Sequence, residues 1–145
     1  MEEGSAVNYI NDGFKVIVAD DESGTRSLLR DMVKAIGGQV VEVSSGKGAI
    51  NEVLNSGADL VLTDLMMPNL DGFAVCRSLK GNAATFHVPI FLITGVADDI
   101  AVEVAFDAGA DDVILKPFKV RELQLRIRNA VNRKRFIDSL LRAGT

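Results

Sequence analysis

The chain has few of the residues on which zinc-binding, disulfide-rich and membrane proteins depend. Its 145 residues include one cysteine, one histidine and no tryptophan, and no run of 18 apolar residues occurs. A single cysteine excludes an internal disulfide and suits a reducing compartment, and with one histidine it leaves too few ligands for an ordinary zinc site. The acidic amino terminus is not followed by an apolar segment, so we expect neither a signal peptide nor a membrane span. The sequence therefore predicts a cytoplasmic protein without a membrane partner.

The charge is unevenly distributed along the chain. Residues 119–145 contain eight basic and two acidic residues, so this end has a formal charge of +6 and the rest of the chain carries −10. A basic end can bind nucleic acid or an acidic protein surface, but it can also be the solvated face of an amphipathic helix. We favour the solvated helix, and direct nucleic acid binding is not expected because no helix-turn-helix pattern follows.

Short apolar runs alternate with helical patterns over most of the chain. Such runs, separated by amphipathic stretches, predict buried parallel strands joined by helices. We expect one α/β domain over 14–132, a doubly wound sheet of five βα units, with a loose leader at 1–13 and a helical extension at 133–145. The predicted strands are 15–19, 39–43, 59–63, 89–94 and 112–115, and the predicted helices are about 23–36, 47–54, 72–80 and 98–108, with a last helix from about 120.

Two local details accompany this outline. Ser23 stands just before the first helical apolar stripe and is a residue type that caps helices, so we expect it to cap the first helix. In the leader, Tyr9 and Ile10 are the residues expected to pack against the domain.

Five polar side chains stand at the ends of four predicted strands. Asp20 and Asp21 follow the first strand, Asp64 follows the third, Thr94 ends the fourth and Lys116 follows the fifth. Ligand sites of open parallel sheets lie at the carboxyl ends of the strands, so these groups should converge on one pocket. Carboxylates suit Mg²⁺, while a lysine and a hydroxyl suit phosphoryl oxygens. The set fits a cation and a phosphoryl group held around a single aspartate.

Four parts of the sequence resemble the receiver domain of two-component response regulators. They are Val18–Glu22, Asp64–Gly72, Thr94 and Gly109–Phe118, which occur in the family's order and at its spacing. The resemblance covers roughly residues 14–132. It implies a flavodoxin-like five-stranded parallel sheet with the strand order 2-1-3-4-5.

The resemblance also implies which residues hold the metal and accept the phosphoryl group. Asp64 resembles the phosphoacceptor, which takes a phosphoryl group from a phosphohistidine on a sensor histidine kinase or phosphotransfer protein. Mg²⁺, or Mn²⁺ in its place, would be bound directly by Asp21 and Asp64, largely through water by Asp20, and by the backbone carbonyl of Met66. Such a domain catalyses only its own phosphorylation and dephosphorylation, so no enzymatic activity on another substrate is expected.

The switching residues follow from the same resemblance. Thr94 resembles the hydroxyl that moves to bind the phosphoryl oxygen, and Lys116 would pair with the phosphoryl group beside a cis peptide bond to Pro117. Three residues before that lysine, receivers usually carry tyrosine or phenylalanine, whereas this chain has Val113. Valine has a single χ angle and little reach, so it cannot report the movement of Thr94 by rotating a ring.

Two positions at the rim of the pocket are expected to set the lifetime of the phosphorylated state. In this family the second residues after the phosphoacceptor and after the switch threonine flank the attacking water, and here they are Met66 and Val96. Neither side chain can orient water. We therefore expect slow self-hydrolysis.

Other functions fit less well. An aspartate-nucleophile phosphatase of the haloacid dehalogenase type needs a second aspartate where this chain has Met66, and a flavin-binding relative needs a phosphate loop after the first strand. The alternative that stays open is a degenerate receiver that acts as a phosphorylation-independent interaction module. Asp111 and Asp112 could suggest a further metal pair, but we expect them to form a solvated turn into the fifth strand.

The last helix is longer than the fold requires. Residues beyond about 132 should have no core left to cover, and we expect them to continue as a helix that dimerises or leads into an output domain absent from this chain. A homodimer through the face formed by helix 4, strand 5 and helix 5 is a further possibility. The apolar seam has the 3.5-residue period of a coiled coil, interrupted by a lysine; its positions are Val120, Leu123, Ile127, Ala130, Lys134, Ile137 and Leu141.

Overall fold

A computed structural model describes residues 13–95 and 98–144, so the leader residues Tyr9 and Ile10 and the rim residue Val96 lie outside the described residues. Five strands alternate with five helices. The strands are β1 (Phe14–Ala19), β2 (Gly38–Val43), β3 (Leu60–Asp64), β4 (Ile90–Thr94) and β5 (Asp112–Leu115). The helices are α1 (Ser23–Ala35), α2 (Gly46–Ser56), α3 (Gly72–Lys80), α4 (Asp99–Asp107) and α5 (Val120–Ala143).

The five strands form one parallel sheet in the order β2-β1-β3-β4-β5. This confirms the predicted doubly wound α/β fold and its strand order. The central strands β1, β3 and β4 are almost continuously apolar, as strands covered on both faces must be. Their side chains alternate between two cores, so that Ile17 of β1 packs towards α2, α3 and α4, while Val16 packs towards α1 and α5.

Three of the five helices begin with a side-chain cap, and α1 and α5 do not. Ser45, Asp71 and Asp98 each accept a hydrogen bond from a backbone N–H in the first turn of α2, α3 and α4. The expected cap by Ser23 is wrong: the N-cap position of α1 is Glu22, and no side-chain hydrogen bond caps that helix. Glu22 is in an extended conformation, so α1 begins at Ser23, one residue earlier than it would if Ser23 were the cap.

Helix α5 runs back along the sheet and continues past it. Leu123, Ile127, Ala130 and Val131 are buried against the sheet and α1. Beyond residue 132 the large apolar side chains are partly exposed, as expected for a segment without a core to cover. Polar side chains of the same segment nevertheless bind the domain, as described below. Within 13–95 and 98–144, none of the helices has the length and apolarity needed to cross a bilayer.

Candidate functional site

Three carboxylates meet at the carboxyl ends of β1 and β3. Asp64 is the last residue of β3, and Asp20 and Asp21 follow β1 directly. Because these neighbouring parallel strands are paired in register, they deliver the three side chains to the same edge of the sheet. One carboxylate oxygen from each lies within 4.8 Å of the others. The structure thus brings together the acidic residues that the sequence placed at strand ends.

Asp20 is the buried member of this cluster, with 2% of its surface exposed. Its Oδ1 accepts a hydrogen bond from the backbone N–H of Glu22 at 2.9 Å. Burial raises the pKa of Asp20, and the negative charges of Asp64 and Asp21 act in the same direction. The hydrogen bond from Glu22 and the charge of Lys116 oppose this rise only in part. The anionic form of Asp20 is therefore short of positive charge.

A hard divalent cation fits this set of donors. All three side chains offer carboxylate oxygens, which Mg²⁺ prefers, and the electrostatics of Asp20 favour a cation in their midst. The loop that follows β3 carries Met66, whose side chain is two-thirds exposed at the rim of the cluster. The cluster and the loop after it are the parts of the chain that could hold the ion.

Lys116 reaches the cluster from the end of β5. Its Nζ lies 3.7 Å from Oδ1 of Asp64 and 3.9 Å from Oδ2 of Asp20. The backbone positions it, because its N–H donates to the carbonyl of Thr94 at 2.9 Å and its peptide bond to Pro117 is cis. The lysine side chain is one-third exposed, so its ammonium group can also reach an anion that enters from solvent.

Thr94 is the last residue of β4 and is 2% exposed. Strand β4 lies between β3 and β5, with Ile93 paired to Asp64 and Thr94 paired to Leu115. Its backbone is therefore held between the strands that carry the aspartate and the lysine. Val96, the rim residue expected to act with Met66, lies outside the described residues.

The turn that follows Asp64 depends on a close backbone approach at Gly72. A Cβ added there would lie 2.7 Å from Cδ2 of Leu92 and 2.9 Å from the backbone oxygen of Asp64. The N–H of Gly72 also donates to the carbonyl of Leu65 at 2.9 Å, which closes the turn. Only glycine allows α3 to begin this close to the strand.

Arg26 on α1 was not singled out from the sequence. Its Nη1 donates to the backbone carbonyl of Asp20 at 2.8 Å, and its Nε lies 3.6 Å from Oε1 of Glu42. It therefore fixes the loop that carries the first two acids. The available signal was a basic residue in the first turn of the helix after Asp20 and Asp21, which no spacing rule connects to a backbone carbonyl.

The remaining predicted positions are Val113 and the acidic pair Asp111 and Asp112, which lie in β5 or just before it. Val113 lies on the edge strand β5, where its partly buried side chain packs against the core under α2, α3 and α4. As expected for a turn into the fifth strand, Asp111 lies exposed in the bend before β5, and Asp112 is the first residue of that strand. Asp111 bonds to Lys80 Nζ and Asp112 to Arg126 Nη1, at 2.8 and 3.0 Å; Lys80 is the last residue of α3, and Arg126 lies on α5.

Comparison with known proteins gives a consistent result. Residues 16–128 match the family model described as the response regulator receiver domain. The transcriptional regulatory protein ResD of Bacillus subtilis is 39% identical over 119 residues, which are 82% of this chain and 48% of that protein. The DNA-binding response regulator MtrA of Mycolicibacterium paratuberculosis is 34% identical over 119 residues, 82% of this chain and 52% of that protein. The chain thus spans about half the length of the curated relatives it matches.

The chain is also similar in structure to solved receiver domains. One is the receiver domain of the sensor histidine kinase PA1611 from Pseudomonas aeruginosa, described with a magnesium ion coordinated in its active site cleft. It superposes with a TM-score of 0.76 at 27% identity, covering 82% of this chain and 98% of that one.

Proposed function

This chain belongs to the response regulator receiver domain family, and from that premise we propose that its Asp64 accepts a phosphoryl group from a phosphohistidine of a partner kinase or phosphotransfer protein. A carboxylate oxygen of Asp64 forms a bond to phosphorus while the phosphorus–nitrogen bond breaks. The histidine nitrogen keeps the electron pair of that bond. The acyl phosphate then biases the domain between two conformations, which controls an output.

The observation that carries this proposal is the meeting of Asp64 with two further carboxylates and with Lys116. An isolated carboxylate is a weak nucleophile and repels an incoming phosphoryl group, because both are anionic. Lys116, 3.7 Å from Asp64, supplies a positive charge that can move to a phosphoryl oxygen. Phosphoryl transfer depends mainly on positioning and charge neutralisation, which this arrangement offers.

We also propose that the carboxylate cluster binds Mg²⁺. Asp21 and Asp64 would hold it directly, Asp20 largely through water and Met66 through its backbone carbonyl, while Mn²⁺ could replace it. When bound, the ion neutralises charge on the carboxylates and on the phosphoryl group. The magnesium described for the Pseudomonas aeruginosa receiver supports this assignment.

Thr94 and Lys116 would hold the phosphoryl oxygens once transfer has occurred. Thr94 ends the strand that pairs with both β3 and β5, so a shift of its hydroxyl towards Asp64 would pull on the segment before α4. Val113 has no ring to follow that movement. We infer that the signal leaves this site through the backbone before α4 rather than through the side chain on β5.

The proposed activity is limited to the domain's own phosphoryl group. The domain would act on itself alone, by taking up and later hydrolysing its phosphoryl group, and would do so in the cytoplasm, where its free buried cysteine is stable. Since the relatives it matches include DNA-binding regulators about twice as long, control of a separate output domain fits the proposal.

Phosphoryl incorporation from acetyl phosphate, followed by intact mass, tests the proposal. We expect the wild-type protein with Mg²⁺ to gain one phosphoryl group, Asp64→Ala to gain none, and chelation of the metal to abolish the gain. Asp31→Ala, which removes an exposed carboxylate on α1, is the matched control and should incorporate normally. If the wild-type protein gains nothing while still binding Mg²⁺, the alternative of a receiver kept for protein contacts is favoured.

A further inference from the structure

The end of α5 is attached to the edge of the sheet opposite the carboxylate cluster. Asp59, just before β3, accepts from Arg135 at 2.7 and 2.8 Å and from Lys134 Nζ at 3.2 Å. We call Asp59, Lys134 and Arg135 the clamp. Arg135 Nη2 also donates to the carbonyl of Gly13 at 2.6 Å. The described chain therefore begins directly beside the clamp.

Large apolar side chains lie on another side of the same two helical turns. At 100° per residue, Phe136, Ile137 and Leu140 fall on the side of the helix opposite the clamp residues, and Leu141, seven residues after Lys134, lies at the border between the two sides. Their exposed fractions are 50%, 36%, 55% and 48%. We call these four residues the distal face. Four neighbouring large apolar side chains form a patch of the kind that marks a contact site.

The clamp also changes the charge of this part of the helix. Lys134 and Arg135 point towards Asp59, and Lys134 bonds in addition to Asp138 at 2.6 Å. Their charges are thus neutralised on the domain side. The distal face includes Arg133 near its start, whereas Arg142, seven residues after Arg135, falls on the clamp side of the helix. In a parallel pair of identical helices Arg133 would face its own copy, which disfavours a parallel second copy as the occupant.

We propose that the N-terminal leader of the same chain packs on the distal face, with Tyr9 and Ile10 as its apolar contacts. Residues 1–12 contain Val7, Tyr9 and Ile10 and carry three acids without a lysine or arginine. A segment that is both apolar and acidic complements a face that is both apolar and basic. The leader thereby occupies a surface that a partner of the C-terminal helix would otherwise bind.

The chain geometry allows this contact. Ile10 and Tyr9 precede Gly13 by three and four residues, which span about 10–14 Å when extended. From Arg135 to Leu141 the helix rises about 9 Å. Because Gly13 is held at Arg135, these leader side chains can reach the distal face without a long unsupported loop. This contact does not involve the carboxylate cluster at the opposite edge of the sheet.

Fluorescence of Tyr9 tests the proposal directly, because the chain has one tyrosine and no tryptophan. Quenching by acrylamide should be weaker in the full-length protein than in a peptide of residues 1–12. In the double variant Ile137→Gln, Leu140→Gln it should rise to the value of the peptide. Leu28→Gln, Val104→Gln, which changes two comparably exposed apolar residues on α1 and α4, is the matched control and should quench like wild type.

Each other outcome overturns the proposal. Quenching in the wild-type protein equal to that of the peptide means that the leader does not dock. Protection that survives the distal-face variant places the leader elsewhere. Protection that depends on protein concentration, with a doubled sedimentation mass, makes a second copy the occupant.

A second measurement guards against a variant that perturbs the helix itself. Deletion of residues 1–12 leaves every described core residue in place. It should accelerate hydrogen exchange of the amides at 137–143 without affecting those of β3. Unchanged exchange at 137–143 would contradict the proposal.

Discussion

Arg135 and Asp59, which are 76 residues apart in sequence, form a two-point ion pair. Arg135 Nε lies 2.7 Å from Oδ1 and its Nη2 lies 2.8 Å from Oδ2 of the same carboxylate. Fork-to-fork pairing of this kind combines charge with fixed geometry. Since the Asp59 side chain is only 9% exposed, the pair fixes α5 to the start of β3 in a partly desolvated site.

Loss of this pair should destabilise the domain. In Asp59→Asn the two cations of the clamp lose their counter-charge, and removal of one partner of a mostly buried pair typically costs about 3 kcal/mol. We expect a drop of this order in the free energy of unfolding, measured with urea at pH 7. Arg30→Gln removes an exposed arginine pairing on α1 and should change stability far less, because solvent screens exposed ion pairs.

The same pair predicts a pH dependence. Burial alone would raise the pKa of Asp59, but bonds from Arg135 and Lys15 and the charge of Lys134 outweigh it and lower that pKa below its ordinary value. The stabilisation is therefore fully present above the ordinary aspartate pKa of about 4 and is lost as the pH falls through the lower folded value. The stability difference between wild type and Asp59→Asn should shrink in that acidic range; a difference that persists throughout it would contradict this account.

Asp20 should have the opposite effect on how the folding stability depends on pH. Burial and the charges of Asp64 and Asp21 raise its pKa, so in the absence of a divalent cation its ionised form opposes folding. Metal-free wild-type protein should therefore gain stability from this group as the pH falls from neutral through its raised pKa. Asp20→Asn should be more stable than wild type at pH 7 without metal and should gain less from added Mg²⁺. Thermal unfolding with and without Mg²⁺ measures both effects, and equal stabilisation of the two proteins by Mg²⁺ would argue against the proposed metal site.

Gly72 offers a test of how the turn after the phosphoacceptor is packed. In Gly72→Ala the new methyl group would lie 2.9 Å from the oxygen of Asp64 and 3.0 Å from Cα of Leu65, neither of which can move away cheaply. We expect a loss of about 1–3 kcal/mol in unfolding free energy and slower phosphoryl uptake. Gly24→Ala is the control, because nothing lies within 4 Å of the added atom and the helix should gain up to about 1 kcal/mol.

The lifetime of the phosphorylated state gives a fifth prediction. Met66 is two-thirds exposed beside the cluster, and its side chain cannot orient an attacking water. With Met66→Asn and Val96→Glu combined, polar groups would flank that water, and we expect the acyl phosphate to decay faster than in the parent. Loss of the phosphorylated mass over time after removal of acetyl phosphate measures the rate. A variant that decays no faster would refute this role for the two positions.

The parts of the fold that local sequence determines were predicted closely. α3 at Gly72–Lys80 and β5 at Asp112–Leu115 have the expected bounds, because a capping aspartate or an acidic turn precedes each element. The meeting of Asp20, Asp21 and Asp64 followed from strand ends alone, since parallel neighbours share an edge. These inferences needed only periodicity and the rule for ligand sites.

The clamp could not be predicted in the same way. Asp59 precedes a strand and Arg135 lies in a basic stretch, so each on its own resembles a solvated charge. Their pairing depends on how far α5 extends past the sheet and on which side it turns towards β3. The 3.5-residue period puts Lys134 in an apolar seam, where it interrupts the pattern, and in the structure it bonds to Asp59.

The two ends of β3 carry two separate groups of charged residues. Asp64 closes the strand at one edge of the sheet, while Asp59, just before its first residue, anchors α5 at the other. Along α5, Arg135 lies about 23 Å from the helix start at Val120. If Asp64 accepts a phosphoryl group as proposed, a phosphodonor bound at that end would leave the surface around Asp59 accessible to a second molecule.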